Sequence, residues 1–414
     1  MIPAHKGVPG FSQVSEFNFP RTLPMPHFGM HTLEGFSTQT DGSAAVAEAT
    51  QHWSETPEML FVFCSSKQDA DAVAKALAER YPGVPMAGCS TSGEHLSGTH
   101  KRDSLVIAGL CETGVDWVVD AFDGLQELDD AAGETFAAAL IEKHGADAET
   151  LEPDDFVALL FVDGLKGAEE RISAALASGL QGIPLAGGSA GDDLAFQRTT
   201  VICNGSATDD RATVVLARSR GTKFKVLKHQ HFTTEPQLLA VTRADTAQRV
   251  IYELDGYPAA EAYARALGIE VDALGGSESF THPFTFSCDG ELYVRSFLSA
   301  DEDGSMKFYC AIEEGMVLQI GAHQDMKATL DEDLEQLRGD GGQVDFMINF
   351  NCVLRALEAT EGEKWGELGE SVCSVAKSSI GFDTYGEQLN GLHINQTLVA
   401  VAFSANQEEA RVSA

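Results

Sequence analysis

The sequence predicts an α/β N-terminal domain of two repeated β-α-β units and an α+β C-terminal domain with an antiparallel sheet and flanking helices. The first observation is an internal repeat, since residues 60–90 align without a gap on residues 159–189 with ten of 31 positions identical. The second is a change near Gly221, beyond which short segments alternate apolar with polar residues, as half-buried antiparallel strands do. The third is the length of 414 residues, which is too great for one ordinary core.

The N-terminal part divides into a leader and the two repeats. Residues 1–35 are rich in proline and phenylalanine and predict an irregular leader. The N-terminal domain is expected over residues 36–220. An alanine-rich segment, residues 43–53, predicts a helix that Ser43 caps. The repeats themselves, residues 59–94 and 158–193, each read as strand, helix and strand, and two further strands follow each copy.

The C-terminal domain is expected over residues 221–404, with a tail at residues 405–414. Helices are predicted at residues 258–267, 330–337 and 353–374, the first of them opening with a proline that suits a first helical turn. Most of the other segments read as strands, and the last strand is predicted at residues 394–403.

Composition argues against binding to nucleic acid or membranes and against secretion. The formal net charge of −35 repels nucleic acid and anionic membrane surfaces. No apolar run approaches the roughly 20 residues that span a bilayer, and no secretory signal is recognised. The eight cysteines form no C-x-x-C pair and mostly lie in apolar segments, which favours free thiols in the cytoplasm.

Two glycine-rich segments at the ends of the repeats are the first candidate site. They comprise residues 88–94 and 187–193, and each follows a predicted strand, where α/β proteins commonly bind ligands. Glycine lets a backbone approach a ligand, and hydroxyl and N–H groups can hold a carboxylate or phosphate. The expected ligand-binding residues here are Cys89, Ser90, Ser189, Asp192 and Asp193. Tight structural turns are the alternative interpretation.

A second candidate lies around Cys352, where a predicted strand runs into a helix. A thiol at a helix N-terminus has a lowered pKa, and Arg355 one turn later could hold an anion. No nearby histidine supplies the base that a nucleophilic cysteine needs, so a buried structural thiol is the alternative. Tyr385 and Glu387 flank a glycine and could line a pocket, although a bulge at a strand edge explains them equally well.

A third candidate is the pair His229 and His231. On one strand both imidazoles would point to the same face, which suits a metal or an axial haem ligand. Solvent-facing polar positions are the alternative. Other histidines that could ligate are His95, His323 and His393. The common enzyme signatures H-E-x-x-H, G-x-S-x-G and the Walker loop are absent from the sequence, which favours binding over catalysis.

Five segments together resemble the FIST family, whose members combine a FIST N with a FIST C domain. They are A-G-C-S-T-S-G-E (87–94), A-G-G-S-A-G-D-D (186–193), L-D-G-Y-P-A-A-E (254–261), N-C-V-L-R (351–355) and G-F-D-T-Y-G-E (381–387). The resemblance runs from about residue 36 to 403. It implies sensory signal transduction, with amino acids or their derivatives as ligands. Many members carry kinase, cyclase or chemotaxis modules; this chain shows none, so action on a partner protein is expected.

Three functional hypotheses follow. The first is a cytoplasmic sensor that binds a small, amino-acid-like ligand in a cleft and signals to a partner. The second rests on the resemblance to a stand-alone branch of the family that binds haem b, senses nitric oxide and regulates a histidine kinase; His231 and His229 would then be the iron ligands. The third is an enzyme with Cys352 as nucleophile. The sequence favours the first and predicts no catalytic residue.

Overall fold

Three units that share one order of strands and helices form the body of the protein. The computed structural model describes residues 29–146, 151–275, 280–288, 290–338 and 342–405. In each unit an edge strand is followed by a parallel β-α-β segment, a short hairpin and a final antiparallel strand. The mixed α/β class expected from the sequence is confirmed, and a third copy of the unit joins the two that the sequence reveals.

The first unit comprises β1 (His31–Ser37), α1 (Gly42–Ala49), β2 (Met59–Ser65), α2 (Ala70–Arg80), β3 (Met86–Thr91), β4 (Glu94–Leu96), β5 (Thr99–Lys101) and β6 (Leu105–Cys111). The helix expected to start with Ser43 is capped instead by Asp41, whose carboxylate accepts the N–H of Ala44. The irregular leader expected through residue 35 is also too long, because β1 begins at His31. Residues 1–28 lie outside the described residues.

The second unit comprises β7 (Val115–Asp123), α3 (Asp130–Lys143), β8 (Phe156–Val162), α4 (Glu169–Gly179), β9 (Leu185–Ser189), β10 (Val201–Cys203), β11 (Ser206–Thr208) and β12 (Arg211–Ser219). The third unit opens with β13 (Thr222–His229), after which an insertion forms an antiparallel sheet of its own. The insertion comprises β14 (Phe232–Asp245), β15 (Val250–Leu254), β16 (Tyr257–Pro258), α5 (Ala259–Leu267), β17 (Phe284–Cys288), β18 (Glu291–Arg295), β19 (Phe297–Ala300), β20 (Met306–Phe308) and β21 (Val317–His323).

The third unit resumes with α6 (Met326–Arg338), β22 (Phe346–Cys352), α7 (Val353–Glu361), α8 (Trp365–Val375), β23 (Ser379–Thr384), β24 (Glu387–Leu389), β25 (Leu392–Ile394) and β26 (Leu398–Ala405). The single helix expected at residues 353–374 is thus two helices, because Gly362 ends the first and Glu363 adopts a left-handed φ of 53°. The expected tail, residues 405–414, lies outside the described residues apart from Ala405.

Hairpins exchanged between the units join three six-stranded sheets. The sheet orders are β1-β6-β2-β3-β10-β11, β7-β12-β8-β9-β24-β25 and β13-β26-β22-β23-β4-β5. Each sheet therefore holds four strands of one unit and the hairpin of another. Hydrogen bonds cross the boundary expected at residues 220/221, since β4 pairs with β23 and β24 pairs with β9. The domain division itself stays a prediction.

The central core lies between these three sheets and is rich in phenylalanine. Phe61 stacks on Phe346, Phe63 lies 4.6 Å from Phe382 between ring centroids, and Phe161 lies 5.8 Å from Phe350. Every pair joins two units, so the core depends on all three. Among the described residues, no helix combines the length and the apolarity that crossing a bilayer requires.

The glycine-rich segments of the repeats lie partly within strands and not only in loops. Residues 88–91 belong to β3 and residues 187–189 belong to β9, and all of them are buried. The expectation that these residues form loops open to a ligand was therefore wrong, because they lie within buried strands. Gly88 lies opposite Val62 and Gly187 lies opposite Leu160, and in the third unit Gly381 lies opposite Asn349.

Candidate functional site

A small cavity lies where the β4–β5 hairpin meets the helices of the third unit. Its volume is about 40 Å³, which is room for roughly three water molecules. One wall is apolar and comes from α6 and α8. The opposite wall is polar and consists of His95 and His100 from the hairpin, Asn349 and Asn351 from β22, and Arg355 from α7. Apolar walls with a few convergent polar groups are typical of small-molecule sites.

Arg355 places a buried positive charge in the polar wall. It lies in the first turn of α7, only 2% exposed. Its Nε donates to Asn351 Oδ1 at 3.0 Å, and Nη1 lies 3.2 Å from His231 Nδ1. Burial lowers the pKa of Arg355 to about 10, with Glu358 and Glu387 opposing the change, so the group stays protonated near pH 7. Within the described part of the chain, no carboxylate forms an ion pair with it.

The carboxylate of Asp383 is a negative counterpart in this network, and one side chain, Asn351, connects it to Arg355. Asn351 Nδ2 donates to Asp383 Oδ1 at 2.8 Å and so links the carboxylate to the guanidinium. Nε2 of His95 lies 2.8 Å from Oδ1, and Nε2 of His100 lies 2.9 Å from Oδ2. Burial alone would raise the pKa of Asp383, but the hydrogen bonds and charges of the two histidines outweigh it and lower that pKa.

A second carboxylate extends this network toward the surface. Glu358 accepts from both sides, because His231 Nε2 lies 2.8 Å from one oxygen and His323 Nε2 lies 2.7 Å from the other. Burial opposes ionisation of Glu358, yet the hydrogen bonds from His231 and His323 hold its pKa at about 2. Arg355 donates to His231 Nδ1, so the proton of the neutral His231 ring lies on Nε2. A continuous hydrogen-bonded chain thus runs from Asp383 to His323, whose side chain is 32% exposed.

A haem does not fit at the histidines that the sequence suggested. The strand β13 ends at His229, so the two residues do not share a regular strand as expected, although their rings stack 6.3 Å apart. Both rings are fully buried. Nε2 of His229 has no partner among the described residues, but both nitrogens of His231 are occupied. The neighbouring cavity of about 40 Å³ is far below the ~300 Å³ of a typical cofactor pocket.

The structure brings several predicted loop residues together at a junction between units, and none of them lines the cavity beside Arg355. Asp192 accepts the N–H groups of residues 196–198 at 2.7–2.9 Å and the hydroxyl of Tyr385. Ser90 donates to Gly191 O and accepts from Thr200 N, both at 2.9 Å. Ser189 Oγ accepts from Gln388 Nε2 at 2.8 Å. The N–H of Asp193 donates to Ser92 Oγ at 3.1 Å. The polar groups of these residues are thus hydrogen-bonded within the protein and do not face that cavity.

The remaining predicted residues are buried without facing the cavity. Cys89 lies in the core of β3. Cys352 is 1% exposed at the start of α7, and burial raises the pKa of its thiol well above 9. Of the two interpretations of Cys352, the structure agrees with the buried structural thiol and not with a lowered thiol pKa, because desolvation outweighs the effect of the helix N-terminus. Glu387 is fully buried between Thr384 and Thr397, and burial raises its pKa to about 8.

Thiol labelling tests whether Cys352 is unreactive in the native protein. Two of the eight cysteines, Cys288 and Cys373, are exposed and the other six are buried. An aromatic disulfide reagent at pH 8 is expected to modify two thiols in the native protein and eight after denaturation. Cys352→Ala should leave the native count at two and lower the denatured count to seven. Loss of a rapidly reacting thiol in this variant would contradict the assignment.

Sequence reasoning missed four residues of the site: His100, Asn349, Asn351 and Asp383. Asp383 lies within a quoted motif, G-F-D-T-Y-G-E, but its neighbours Tyr385 and Glu387 were chosen instead. The only signal for His100 was its place five residues after His95. The pairing of the two histidines across β4 and β5 would have required the hairpin register.

Comparison with known proteins gives family matches over most of the chain. The description "FIST N domain" matches residues 58–257, and "FIST C domain" matches residues 259–390. An uncharacterized protein of Methanocaldococcus jannaschii is 25% identical over 195 residues, which are 43% of this chain and 37% of that protein. The match thus spans little more than a third of that relative.

One solved structure is similar over most of its length. A cyanuric acid hydrolase from A. caulinodans superposes with a TM-score of 0.39 and 8% identity, covering 91% of this chain and 99% of that one. The similarity is distant.

Proposed function

This chain belongs to the FIST family, whose members are sensory, signal-transduction proteins that bind small ligands, and from this premise we propose that it binds an amino-acid-like zwitterion in the cavity beside Arg355. The observation that carries the proposal is a buried guanidinium whose hydrogen-bond partners within the described residues, Asn351 and His231, are both neutral. A carboxylate is the natural ligand of such a group, because two parallel N–H donors match its two oxygens.

Asn349 supports the amine half of the ligand. It lines the same cavity, is 3% exposed, and its Oδ1 has no hydrogen-bond partner within the described residues. A buried acceptor without a donor costs roughly 1–3 kcal/mol. An ammonium group would satisfy this oxygen while the ligand carboxylate engages Arg355.

Charge and size narrow the ligand further. Arg355 and Asp383 already form an approximately neutral pair linked by Asn351. A zwitterion adds no net charge to this buried pair, whereas a plain anion or cation would. With room for roughly three waters, the cavity suits an amino acid with a short side chain.

The hydrogen-bonded chain offers a route for the signal. A ligand carboxylate on Arg355 would compete with His231, and Glu358 would pass the change to the partly exposed His323. Output would be a shift between two populations of this network, read by a cytoplasmic partner protein such as a histidine kinase. Catalysis is not part of the proposal, since Cys352 is a buried thiol with a raised pKa.

Calorimetric titration of the full chain tests this function. Glycine, alanine and serine are the probes; propionate and ethylamine are the matched analogues that lack one of the two charged groups. Binding of at least one amino acid is expected, with no detectable binding of either analogue. Arg355→Met should weaken binding at least about tenfold, corresponding to one lost charge-assisted hydrogen bond.

The exposed Arg243 supplies the control. It pairs with Glu253 on the insertion sheet, away from the cavity, so Arg243→Met should leave affinity unchanged. Equal binding of propionate and alanine, or an Arg355→Met variant that folds and binds like the parent, would refute the proposed site.

A further inference from the structure

His95, His100 and Asp383 bring three potential metal ligands to one point. Their ligating atoms all lie within 4.8 Å of one another. We propose that these residues bind a divalent transition-metal ion, independently of any organic ligand. Two imidazoles and one carboxylate form a donor set that suits Zn²⁺ and other first-row divalent ions.

The backbone holds the two histidines in a fixed relation. His95 and His100 are directly opposite each other across β4 and β5, so their side chains share one face of the hairpin. Trp365 stacks on His100 with ring centroids 3.8 Å apart and meets His95 edge-on. A glycine at position 93 keeps the space clear, because an added Cβ would lie 2.3 Å from Asp383 Oδ2 and 2.8 Å from His100 Nε2. The hairpin register and the contacts with Trp365 therefore position both imidazoles beside Asp383.

Protonation distinguishes this cluster from a second one with the same donor types. The second cluster consists of His231, His323 and Glu358. Nδ1 of His231 accepts a hydrogen bond from Arg355, so Nε2 of His231 carries the ring proton and cannot bind a metal. Neither His95 nor His100 shows an Nδ1 hydrogen bond within the described residues. Their protons can move to Nδ1 and leave both Nε2 lone pairs facing Asp383.

Asp383 supplies the one carboxylate among the three groups, and it is fully buried beside the two imidazoles. A neutral imidazole and an ionised carboxylate are the forms that metals bind. With ligand bonds of about 2.0–2.2 Å, the present 2.8–2.9 Å separations would widen by roughly 0.5 Å in a tetrahedral site.

Three protein ligands leave a tetrahedral ion with one open position. Both histidines line the cavity of about 40 Å³, so a water molecule or another small donor can complete the coordination there. The equivalent position in the next sheet lacks the donor set: Gln388 faces His393 across β24 and β25, and Ser189 replaces the aspartate. One ion is therefore expected at the position formed by His95, His100 and Asp383, and none at its counterpart in the next sheet.

Metal binding is measured on the full chain after treatment with a chelator. Titration with Zn²⁺ should show one equivalent that depends on these three residues, and Co²⁺ bound there should give the visible absorption of nitrogen and oxygen ligands without a thiolate band. His95→Ala and His100→Ala, at partly accessible positions, should each weaken Zn²⁺ binding at least about a hundredfold. Asp383→Asn keeps the side-chain size and should also weaken Zn²⁺ binding.

His323→Ala is the matched control, because it removes a histidine from the second cluster only. Its Zn²⁺ affinity should equal that of the parent. The inference fails if folded His95→Ala and His100→Ala variants retain parental affinity, if His323→Ala alone abolishes binding, or if the parent binds no Zn²⁺ at micromolar concentration. Zinc is titrated here without any amino acid, so failure of this site and failure of the proposed ligand site are separate outcomes.

Discussion

Replacing Gly88 by alanine is expected to prevent the native fold from forming at 37 °C. A Cβ at this position would lie 1.7 Å from the carbonyl oxygen of Val62, the residue paired with it on the neighbouring strand. The oxygen belongs to the backbone of the paired strand, so no side chain can move aside, and β2 and β3 would have to separate. We expect a loss of at least about 4 kcal/mol in the free energy of unfolding, measured by chemical denaturation.

Gly366 provides the control for this change. It lies in α8, where an added Cβ would meet no atom within 4 Å. Gly366→Ala should therefore leave stability unchanged or raise it by about 0.5–1 kcal/mol through higher helix propensity. Gly187→Ala and Gly381→Ala should lower the free energy of unfolding as Gly88→Ala does, because their added Cβ atoms would lie 2.3 and 2.4 Å from backbone oxygens. A Gly88→Ala protein with parental stability would disprove the close strand contact.

Glu387→Gln is expected to make the protein more stable than the parent at pH 9 and similar to it at pH 5. Glu387 is fully buried, and burial raises its pKa from 4.5 to about 8. The folded state therefore binds a proton that the unfolded state releases between these pH values. Stability from this group is present in full below about pH 4.5 and is lost as pH rises through 8.

The difference between variant and parent isolates this one group from the other titrating residues. Each unit of pKa shift corresponds to about 1.4 kcal/mol, so the advantage of Glu387→Gln at pH 9 should reach a few kcal/mol. Glu94 has the related position in the first unit, where burial raises its pKa to about 7, and Glu94→Gln should show the same trend with a smaller amplitude. A stability difference that stays constant from pH 5 to pH 9 would rule out the raised pKa of Glu387.

Two units were visible in the sequence, and the third was not, for a geometric reason. β3 and β9 follow their partner strands after one helix, so residues 60–90 and 159–189 align without a gap. Between β22 and β23 there are two helices, α7 and α8, and the extra length breaks a gapless alignment. The third copy also replaces the small residues around Gly381 with Phe382 and Asp383, which removes the composition signal.

The candidate site was only partly predictable, because its residues come from distant segments. Arg355 was chosen from sequence for its position one turn into a helix, and it does line the cavity. The partners Asn351 and Asp383 were overlooked, although both occur in motifs that were noticed. Ser90 and Asp192 were chosen for their glycine-rich surroundings, yet Ser90 bonds to backbone groups, and Asp192 bonds to backbone groups and to the hydroxyl of Tyr385. Which polar atoms stay free depends on packing, and packing cannot be inferred from residue type.

The amino-acid sequence by itself determined the mixed α/β class, the first two repeats and the family, because hydrophobic periodicity and local motifs are written along the chain. Only the tertiary structure decided that hairpins pass between sheets and that His95 and His100 of the first unit meet Asp383 of the third. Strand pairing between segments nearly 300 residues apart is set by the joint burial of many apolar faces, and no local pattern encodes that partner choice.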